Sequence, residues 1–280
     1  MNHLHKVVPA FVAVFGLVLP GYATVLLDDT WADGTRTNQN LPKASAWYVS
    51  TGASVDAEAN SMTWSPRSDG SMAITYFTTN ATNPVKLDVG DALTVNIRFT
   101  FNGMASSNKS QGFRFGLVDF ADSNLSPKRV SADGFDSGTQ GDGVQGYGLF
   151  QNVGDAFQGS SPMSTRKRDA SGSGSLLGSS KDWVSLSSTP KNVSLFPGFA
   201  NGVQYNLQFV LQRTSTNSLL IGATWLNTAT GATMSTWVTD DKATNFSFDG
   251  IGMRSQGADA TAKTITISKI MVEVESASKP

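Results

Sequence analysis

The chain has 280 residues, no cysteine and a formal net charge of −1, with 39% hydrophobic and 15% charged residues. This balanced charge argues against nucleic-acid binding, because proteins that bind nucleic acids usually carry a basic excess. Both histidines, His3 and His5, fall at the very start, so the rest of the chain has none. A serine–histidine–aspartate triad, cysteine–histidine catalysis and histidine metal sites are therefore excluded there.

The first 23 residues have the pattern of a signal peptide. Residues 1–6 carry a cation, residues 7–19 are apolar, and Gly21 and Ala23 place small side chains at the −3 and −1 positions of a cut after Ala23. The apolar stretch is short for a membrane span, although a retained anchor is the alternative. We expect a secreted or periplasmic protein with no membrane association after cleavage.

Two-residue alternation of apolar and polar side chains recurs along the chain and predicts β-strands. The pattern is clearest at residues 93–101, 113–117 and 205–212. The turn-forming residues 214–217 then make residues 219–226 a hairpin partner of the strand before them. No stretch of comparable length has helical periodicity, so the sequence predicts an all-β fold.

The last strand changes its alternation part of the way along. Ile265 and Ile267 share one parity, whereas Ile270 and Val272 share the other. A slip of one residue turns every later side chain to the opposite face of a sheet. We therefore expect a β-bulge near Ser268, which would keep all four side chains in the core.

The strand signals run without a break in composition, and they predict one domain over residues 24–280. Residues 131–146 and 171–180 are rich in glycine, serine and aspartate and are expected to form long surface loops. Loops of this kind often carry the function of a sandwich.

Several short segments resemble the concanavalin A-like lectin/glucanase superfamily. Residues 26–31 are similar to its opening strand, and residues 248–254 and 264–274 are similar to its closing pair. Residues 33–42 are similar to the start of exported bacterial proteins. The resemblance implies an antiparallel two-sheet jelly-roll sandwich, and the absence of an apolar tail after residue 276 is consistent with release instead of anchoring.

That superfamily contains lectins, binding modules, glycosidases and polysaccharide lyases, so the fold alone does not choose among them. The glutamates of its retaining glucanases lie in a Glu-x-Asp-x-x-Glu run. Glu273 and Glu275 lack the intervening aspartate. The Gln-x-His strand of jelly-roll alginate lyases has no counterpart, and residues 147–151 resemble their tyrosine-rich strand only faintly.

Basic side chains at predicted outward strand positions are the first candidate binding residues. Guanidinium groups pair bidentately with carboxylate and sulfate, so a cationic stripe would suit an acidic polysaccharide. The alternative is a set of ordinary solvated residues with local aspartate partners. The residues are Arg98, Arg114, Arg166, Lys167, Arg168 and Arg254.

Tryptophans are the second set of candidates, because sugar rings stack on flat aromatic faces. Trp225 shares parity with Ile221 and Ala223 and is expected in the core. Trp183 lies in a segment that looks like a loop, and it is the best candidate for an exposed ring that contacts sugar.

Clustered carboxylates suggest a structural calcium site, since calcium takes six to eight oxygen ligands. One candidate is the pair Asp28 and Asp29, and the other is the set Asp133, Asp136 and Asp142 with glycines between them. The spacing is not that of an EF-hand, and plain turns are the alternative explanation.

Three functions remain open. A lectin-like protein that binds a polysaccharide, expected to be acidic, is the first, because it needs no catalytic residues. A polysaccharide lyase is the second: Tyr147, with its pKa lowered by Arg114, Lys167 and Arg168, would take the proton at C5 of a uronic acid. A structural component of an extracellular matrix is the third. The sequence leaves the identity of the glycan undecided.

Overall fold

The computed structural model describes residues 22–66, 69–104, 110–120, 129–155, 157, 161–169, 171–172, 174–178, 182–189, 196–256 and 261–277. Every regular element in these ranges is a β-strand, in agreement with the predicted all-β fold. None of the described residues belongs to a helix long and apolar enough to cross a membrane. Residues 1–21 of the predicted signal segment, residues 1–23, lie outside the described residues, and residues 22–23 are the first two of β1.

An eight-stranded antiparallel sheet forms one layer, in the order β14-β13-β12-β7-β17-β4-β3, with β1 also paired to β17. Its strands are β1 (Tyr22–Asp29), β3 (Ser54–Glu58), β4 (Ser61–Ser65), β7 (Ala92–Asn102), β12 (Gln204–Arg213), β13 (Leu219–Asn227), β14 (Thr233–Asp240) and β17 (Thr264–Ser276).

A seven-stranded antiparallel sheet forms the other layer, in the order β11-β10-β9-β8-β16-β5-β2. Its strands are β2 (Trp47–Val49), β5 (Asp69–Tyr76), β8 (Phe113–Asp119), β9 (Gln145–Gln151), β10 (Met163–Arg168), β11 (Val184–Ser188) and β16 (Gly250–Gln256). A small two-stranded sheet pairs β6 (Val85–Lys86) with β15 (Ser247–Phe248).

The main core lies between the two large sheets, and the predicted alternation fills it. Phe99 of β7, Phe115 of β8 and Phe209 of β12 all point into this core, and Phe115 meets Phe209 edge to face at 5.4 Å between ring centroids. The predicted hairpin of β12 and β13 is confirmed, and Trp225 is buried as expected.

The predicted bulge in the last strand is also confirmed. The register between β17 and β7 shifts between Ile267 and Lys269. Ile265 and Ile267 before the shift and Ile270 after it are all fully buried. The extra residue thus returns the strand's apolar side chains to the core face.

Candidate functional site

The outer face of the seven-stranded sheet is covered by a second, smaller core. We call the segment at residues 174–178 and 182–183 the covering loop. Its Leu176, Leu177 and Trp183 are fully buried and pack with residues of the sheet's outer face, including Met72 and Phe150. This face of the sandwich therefore lies under the chain's own loop.

A row of glycines across three strands makes room for the covering loop. Gly148 of β9, Gly116 of β8 and Gly252 of β16 lie opposite one another. A Cβ atom at Gly148 would lie 2.8 Å from Cζ3 of Trp183, and one at Gly116 would lie 3.2 Å from Cδ2 of Leu177. Only residues without a side chain let the loop approach the strands this closely.

Arg114 and Arg254 anchor the covering loop from below. They lie directly opposite each other on β8 and β16 and point away from the main core, as the alternation predicted. The Arg114 guanidinium donates hydrogen bonds to the carbonyl oxygens of Leu177 (2.6 Å) and Gly178, and that of Arg254 donates to Oγ of Ser175.

Arg166 and Arg168, on β10, are also occupied by loop residues. Arg166 donates to the carbonyl oxygen of Trp183 at 3.1 Å. Arg168 is 1% exposed, donates to the carbonyl oxygen of Gly141 at 2.7 Å and lies 3.8 Å from Asp182. These guanidinium groups stabilise the loops that cover the sheet, because each satisfies backbone carbonyls there.

The predicted cationic stripe is therefore corrected in two respects. Arg98 lies on β7 in the eight-stranded sheet, so it cannot share a face with Arg114 and Arg254. The arginines that do share a face are covered by a loop instead of forming an open surface. Their role in binding an acidic polysaccharide stays a prediction.

The expected exposure of Trp183 is wrong, because its side chain is fully buried. Its ring fills the space over Gly148 and packs against Phe150, with ring centroids 5.7 Å apart. A serine-rich and glycine-rich neighbourhood suggested a surface loop, but this loop folds back onto the sheet. A sugar cannot stack on Trp183 without displacing it.

The predicted group of Tyr147 with the arginines is divided by the sheet. Tyr147 pairs with Leu117 and Lys167 on the core side, whereas Arg114 and Arg168 point to the other side. Burial raises the pKa of the Tyr147 hydroxyl, and its hydrogen bond to the Asp240 carboxylate (2.8 Å) raises it further.

The expectation that cations lower the Tyr147 pKa is thus wrong. Lys167, which lies opposite Tyr147 on β10, is 3.1 Å from the same carboxylate of Asp240 and pairs with it. A buried phenol that donates a hydrogen bond to a carboxylate is a poor general base for a substrate in solvent.

The first candidate calcium pair has other partners. Asp28 pairs with Lys269 at 2.9 Å between Oδ1 and Nζ. Asp29 is 2% exposed, and its carboxylate oxygens accept the backbone N–H groups of Trp31 (2.7 Å) and Ser45 (3.1 Å). Burial raises the pKa of Asp29, and these hydrogen bonds only partly offset that effect.

The second candidate set has other partners as well. Asp133 pairs with Arg36 (2.5 Å) and accepts the Val49 N–H, Asp136 accepts the Gly138 N–H, and Asp142 accepts the Gly174 N–H. Among the described residues, no three acidic, histidine or cysteine side chains are grouped so that they could hold a metal ion. These carboxylates stabilise turns, which is the alternative that the sequence left open.

A cleft of about 560 Å³ opens at one end of the sandwich, beside the small sheet of β6 and β15. We call it the end cleft. It is lined by two carboxylates, two cations, hydroxyl groups, an amide and an aromatic ring. The polar residues are Thr82, Lys86, Asp88, Asp119, Arg213, Thr244, Asn245 and Ser247, and the others are Ala81, Pro84, Leu87 and Phe246.

Arg213 fixes the shape of the end cleft. Its guanidinium carbon lies 3.9 Å from the centroid of the Phe246 ring. The same group donates to the carbonyl oxygens of Leu87 (2.8 Å), Ser215 (3.2 Å) and Thr216 (3.1 Å). It therefore ties the β12–β13 turn, the β6 wall and the aromatic ring together.

A buried ion pair supports the wall of the end cleft from behind. Asp249, which follows β15, is fully buried, and its carboxylate accepts two hydrogen bonds from Arg129, at 2.9 and 3.0 Å. It also accepts the backbone N–H of Phe120, next to the cleft residue Asp119. Such a pair is costly to break, because either partner alone would be an uncompensated buried charge.

Comparison with models of protein families and with curated proteins finds no match. Solved structures do match the fold. The potassium-bound carbohydrate recognition domain of Emp46p has a TM-score of 0.51 and 15% identity, over 89% of this chain and 95% of that one. Basic winged bean lectin with Tn-antigen has a TM-score of 0.50 and 9% identity, over 91% and 99%. The chain thus has the predicted concanavalin A-like jelly-roll fold.

The sequence interpretation missed every residue of the end cleft. The cleft joins Asp88, Asp119 and Phe246, which lie far apart in the chain and beside strands that pair only in the folded protein. The only local feature in the sequence is the short alternation of polar and apolar residues around Phe246, before the closing strands. This alternation does not indicate a ligand.

Proposed function

We propose that this protein is a lectin-like carbohydrate-binding protein and that the end cleft holds the sugar. The observation that carries the proposal is the lining of the cleft, where the exposed carboxylate of Asp88 lies together with hydroxyl groups and the Phe246 ring. Its volume of about 560 Å³ falls within the usual range of about 300–1,000 Å³ for ligand sites.

The chemistry of this lining matches a sugar. Carboxylates accept hydrogen bonds from sugar hydroxyls, and these charge-assisted bonds are the stronger kind. An aromatic ring packs against the apolar C–H face of a pyranose. Arg213 holds Phe246 in one position, so little conformational entropy is lost when a ligand binds there.

The two matched structures support the proposal because of the kind of protein that each one is. One is a carbohydrate recognition domain, and the other is a lectin bound to Tn-antigen. Fold does not determine function, so the cleft itself has to be tested.

A neutral glycan is the first target to test. The charged residues of the cleft are Lys86 and Arg213 against Asp88 and Asp119, so their formal charges balance. The acidic polysaccharide expected from the sequence depended on arginines that the covering loop occupies. An acidic polysaccharide is therefore the second ligand to test in the same experiment.

The lyase alternative has no supporting geometry, since Tyr147 is buried and separated from the arginines by the sheet. The structural role is the outcome if no glycan binds.

The proposal includes export. A cut after Ala23 would leave Thr24 at the new N-terminus, within β1 and opposite Val274 of β17. N-terminal sequencing of protein recovered from the periplasm or medium should therefore start at Thr24. Recovery with Met1 intact would contradict export by cleavage.

Binding is tested with an array of neutral and acidic glycans, followed by titration of the best ligand. Asp88→Asn should weaken binding about tenfold or more, because a hydrogen bond to a charged group contributes roughly 1.5–3 kcal/mol. Phe246→Ala should also weaken it. Asp56→Asn, on β3, is the matched control, since Asp56 is an exposed carboxylate outside the cleft. Equal affinities for the Asp88 and Asp56 variants would overturn the assignment of the cleft.

A further inference from the structure

Trp237 differs from the other tryptophans of the chain. Its side chain is 50% exposed, on the outer face of the eight-stranded sheet, whereas the other five are fully buried. The parity of β14 explains this, because Met234 and Thr236 point inward and Trp237 lies between inward positions. Among the large hydrophobic side chains that are exposed in the described part of the chain, Trp237 is the one aromatic ring.

Gly222 on the neighbouring strand lets the indole lie flat. Gly222 and Trp237 are directly opposite in the β13–β14 pair. A Cβ atom at Gly222 would overlap the six-membered ring of Trp237. One face of the ring therefore lies against the strand, and the exposed half of the side chain is presented to solvent.

The surface around this ring is uncharged and rich in hydrogen-bonding groups. The outward positions of β12, β13 and β14 carry no Asp, Glu, Lys or Arg before the strand ends. Apart from Trp237, the exposed side chains of these strands are hydroxyls and an amide. They are Gln208, Thr233, Ser235 and Thr239.

We propose that this face is a second glycan-binding surface, which takes a neutral polysaccharide with flat, equatorially linked pyranose rings. One sugar ring stacks on Trp237. Ser235 and Thr239, about 7 Å to either side along the strand, bond to its hydroxyls. Gln208 lies two strands away, about 10 Å across the sheet and in register with Ser235, within reach of the next rings.

The composition of the face favours a polysaccharide over a second copy of the chain. Protein interfaces have a fully buried apolar centre. Here one aromatic ring is surrounded by hydroxyl and amide groups, and the apolar Val210 and Leu220 nearby are half-buried. Hydroxyl-to-hydroxyl bonding around a stacking platform is the arrangement that a sugar can use, and it needs no charge.

This surface is separate from the end cleft, and the fluorescence of Trp237 can report binding to it. Acrylamide should quench the fluorescence of Trp237 selectively, because the other five tryptophans are fully buried. The probes are a soluble β-1,4-linked glucose hexamer and insoluble cellulose. The hexamer should protect Trp237 from acrylamide, and the protection should be the same at low and high salt.

Trp237→Ala should weaken retention on cellulose about tenfold while lowering the unfolding midpoint only slightly. Gly222→Ala should weaken it as well by tilting the ring, while the tryptophan remains. Val184→Ala is the matched control, since Val184 is 57% exposed but lies on β11 of the other sheet. It should leave retention unchanged.

Two results would overturn the proposal. One is an absence of protection by the hexamer together with unchanged retention of the Trp237 variant. The other is protection that grows with protein concentration in the absence of sugar, with a dimer in sedimentation, which would assign the face to a second copy. Failure of the proposal for the end cleft would give a different result. Asp88→Asn would then have no effect on binding, while the hexamer would still protect Trp237 from acrylamide.

Discussion

Arg114 and Arg254 form a cross-strand pair of like charges on the outer face of the seven-stranded sheet. Like charges directly opposite each other in a sheet are normally unfavourable. Here both guanidinium groups reach acceptors in the covering loop, at Leu177, Gly178 and Ser175. The loop therefore compensates the two cations, and the cations hold the loop against the sheet.

Replacing these arginines should lower stability. Arg114→Ala should reduce the free energy of unfolding by about 1.5–3 kcal/mol, because partly buried carbonyl oxygens of the covering loop lose a charged donor. Arg254→Ala should act in the same direction. Arg98→Ala is the control and should stay within about 0.5 kcal/mol, since Arg98 is exposed on the other sheet. Urea unfolding midpoints measure all three, and equal midpoints for the Arg98 and Arg114 variants would contradict the anchoring role.

The strands and their inward faces were predictable because they depend on local alternation. The bulge between Ile267 and Lys269 was found this way, since only an inserted residue keeps both halves of β17 buried. The same parity placed Arg114 on the outer face and Trp225 in the core.

What lies over the outer face was not predictable, because parity says nothing about a loop that returns to the sheet. Trp183 has no periodic neighbours that would indicate burial, and its site is created by Gly148 on a distant strand. The separation of Arg98 from Arg114 follows from the non-local pairing of β7 with β12 and β17. The outward position of Trp237 was predictable from the sequence, since Met234 and Val238 have the opposite parity.

Trp183 is fully buried and Trp237 is half exposed, so the stabilities of their alanine variants can be compared directly. Trp183→Ala should cost about 3–5 kcal/mol of unfolding free energy, the usual loss when a buried aromatic becomes a cavity. Trp237→Ala should cost less than about 1 kcal/mol, because half of that side chain is already in water. Chemical denaturation of the two variants tests this. A neutral Trp183 substitution would show that the covering loop is not packed on the sheet in solution.

Tyr147→Phe separates a structural hydroxyl from a catalytic one. The variant should lose about 1–3 kcal/mol of stability, because Asp240 keeps Lys167 but loses a buried hydrogen-bond donor. Glycan affinity should not change. Ultraviolet absorbance of unsaturated uronate products should be absent with both wild type and variant. Product formation by the wild type that disappears in the variant would restore the lyase hypothesis.

Asp29 and Asp133 should give opposite dependences of stability on pH. Burial raises the pKa of Asp29 above its ordinary value of 3.8, so the folded state binds that proton more tightly than the unfolded state. The stability that Asp29 contributes should therefore fall as pH rises from about 3.8 through its raised pKa, and then level off.

For Asp133, burial would raise the pKa, but the bonds from Arg36 and the Val49 N–H outweigh it and lower the pKa. Its contribution is present above the ordinary value of 3.8 and is lost as pH falls through the lowered pKa. The Asp133 effect should be small, because its side chain is 42% exposed and screened by solvent.

The measurement is the unfolding free energy of wild type, Asp29→Asn and Asp133→Asn across the acidic range. Each asparagine variant lacks one titrating group, so subtracting its curve from that of the wild type isolates that group. The Asp29 difference should decline with rising pH and the Asp133 difference should increase. The sign follows from the number of protons each state binds, so global unfolding in acid cannot imitate both slopes. Two difference curves with the same slope would show that Asp29 is solvated or that Arg36 does not pair with Asp133 in solution.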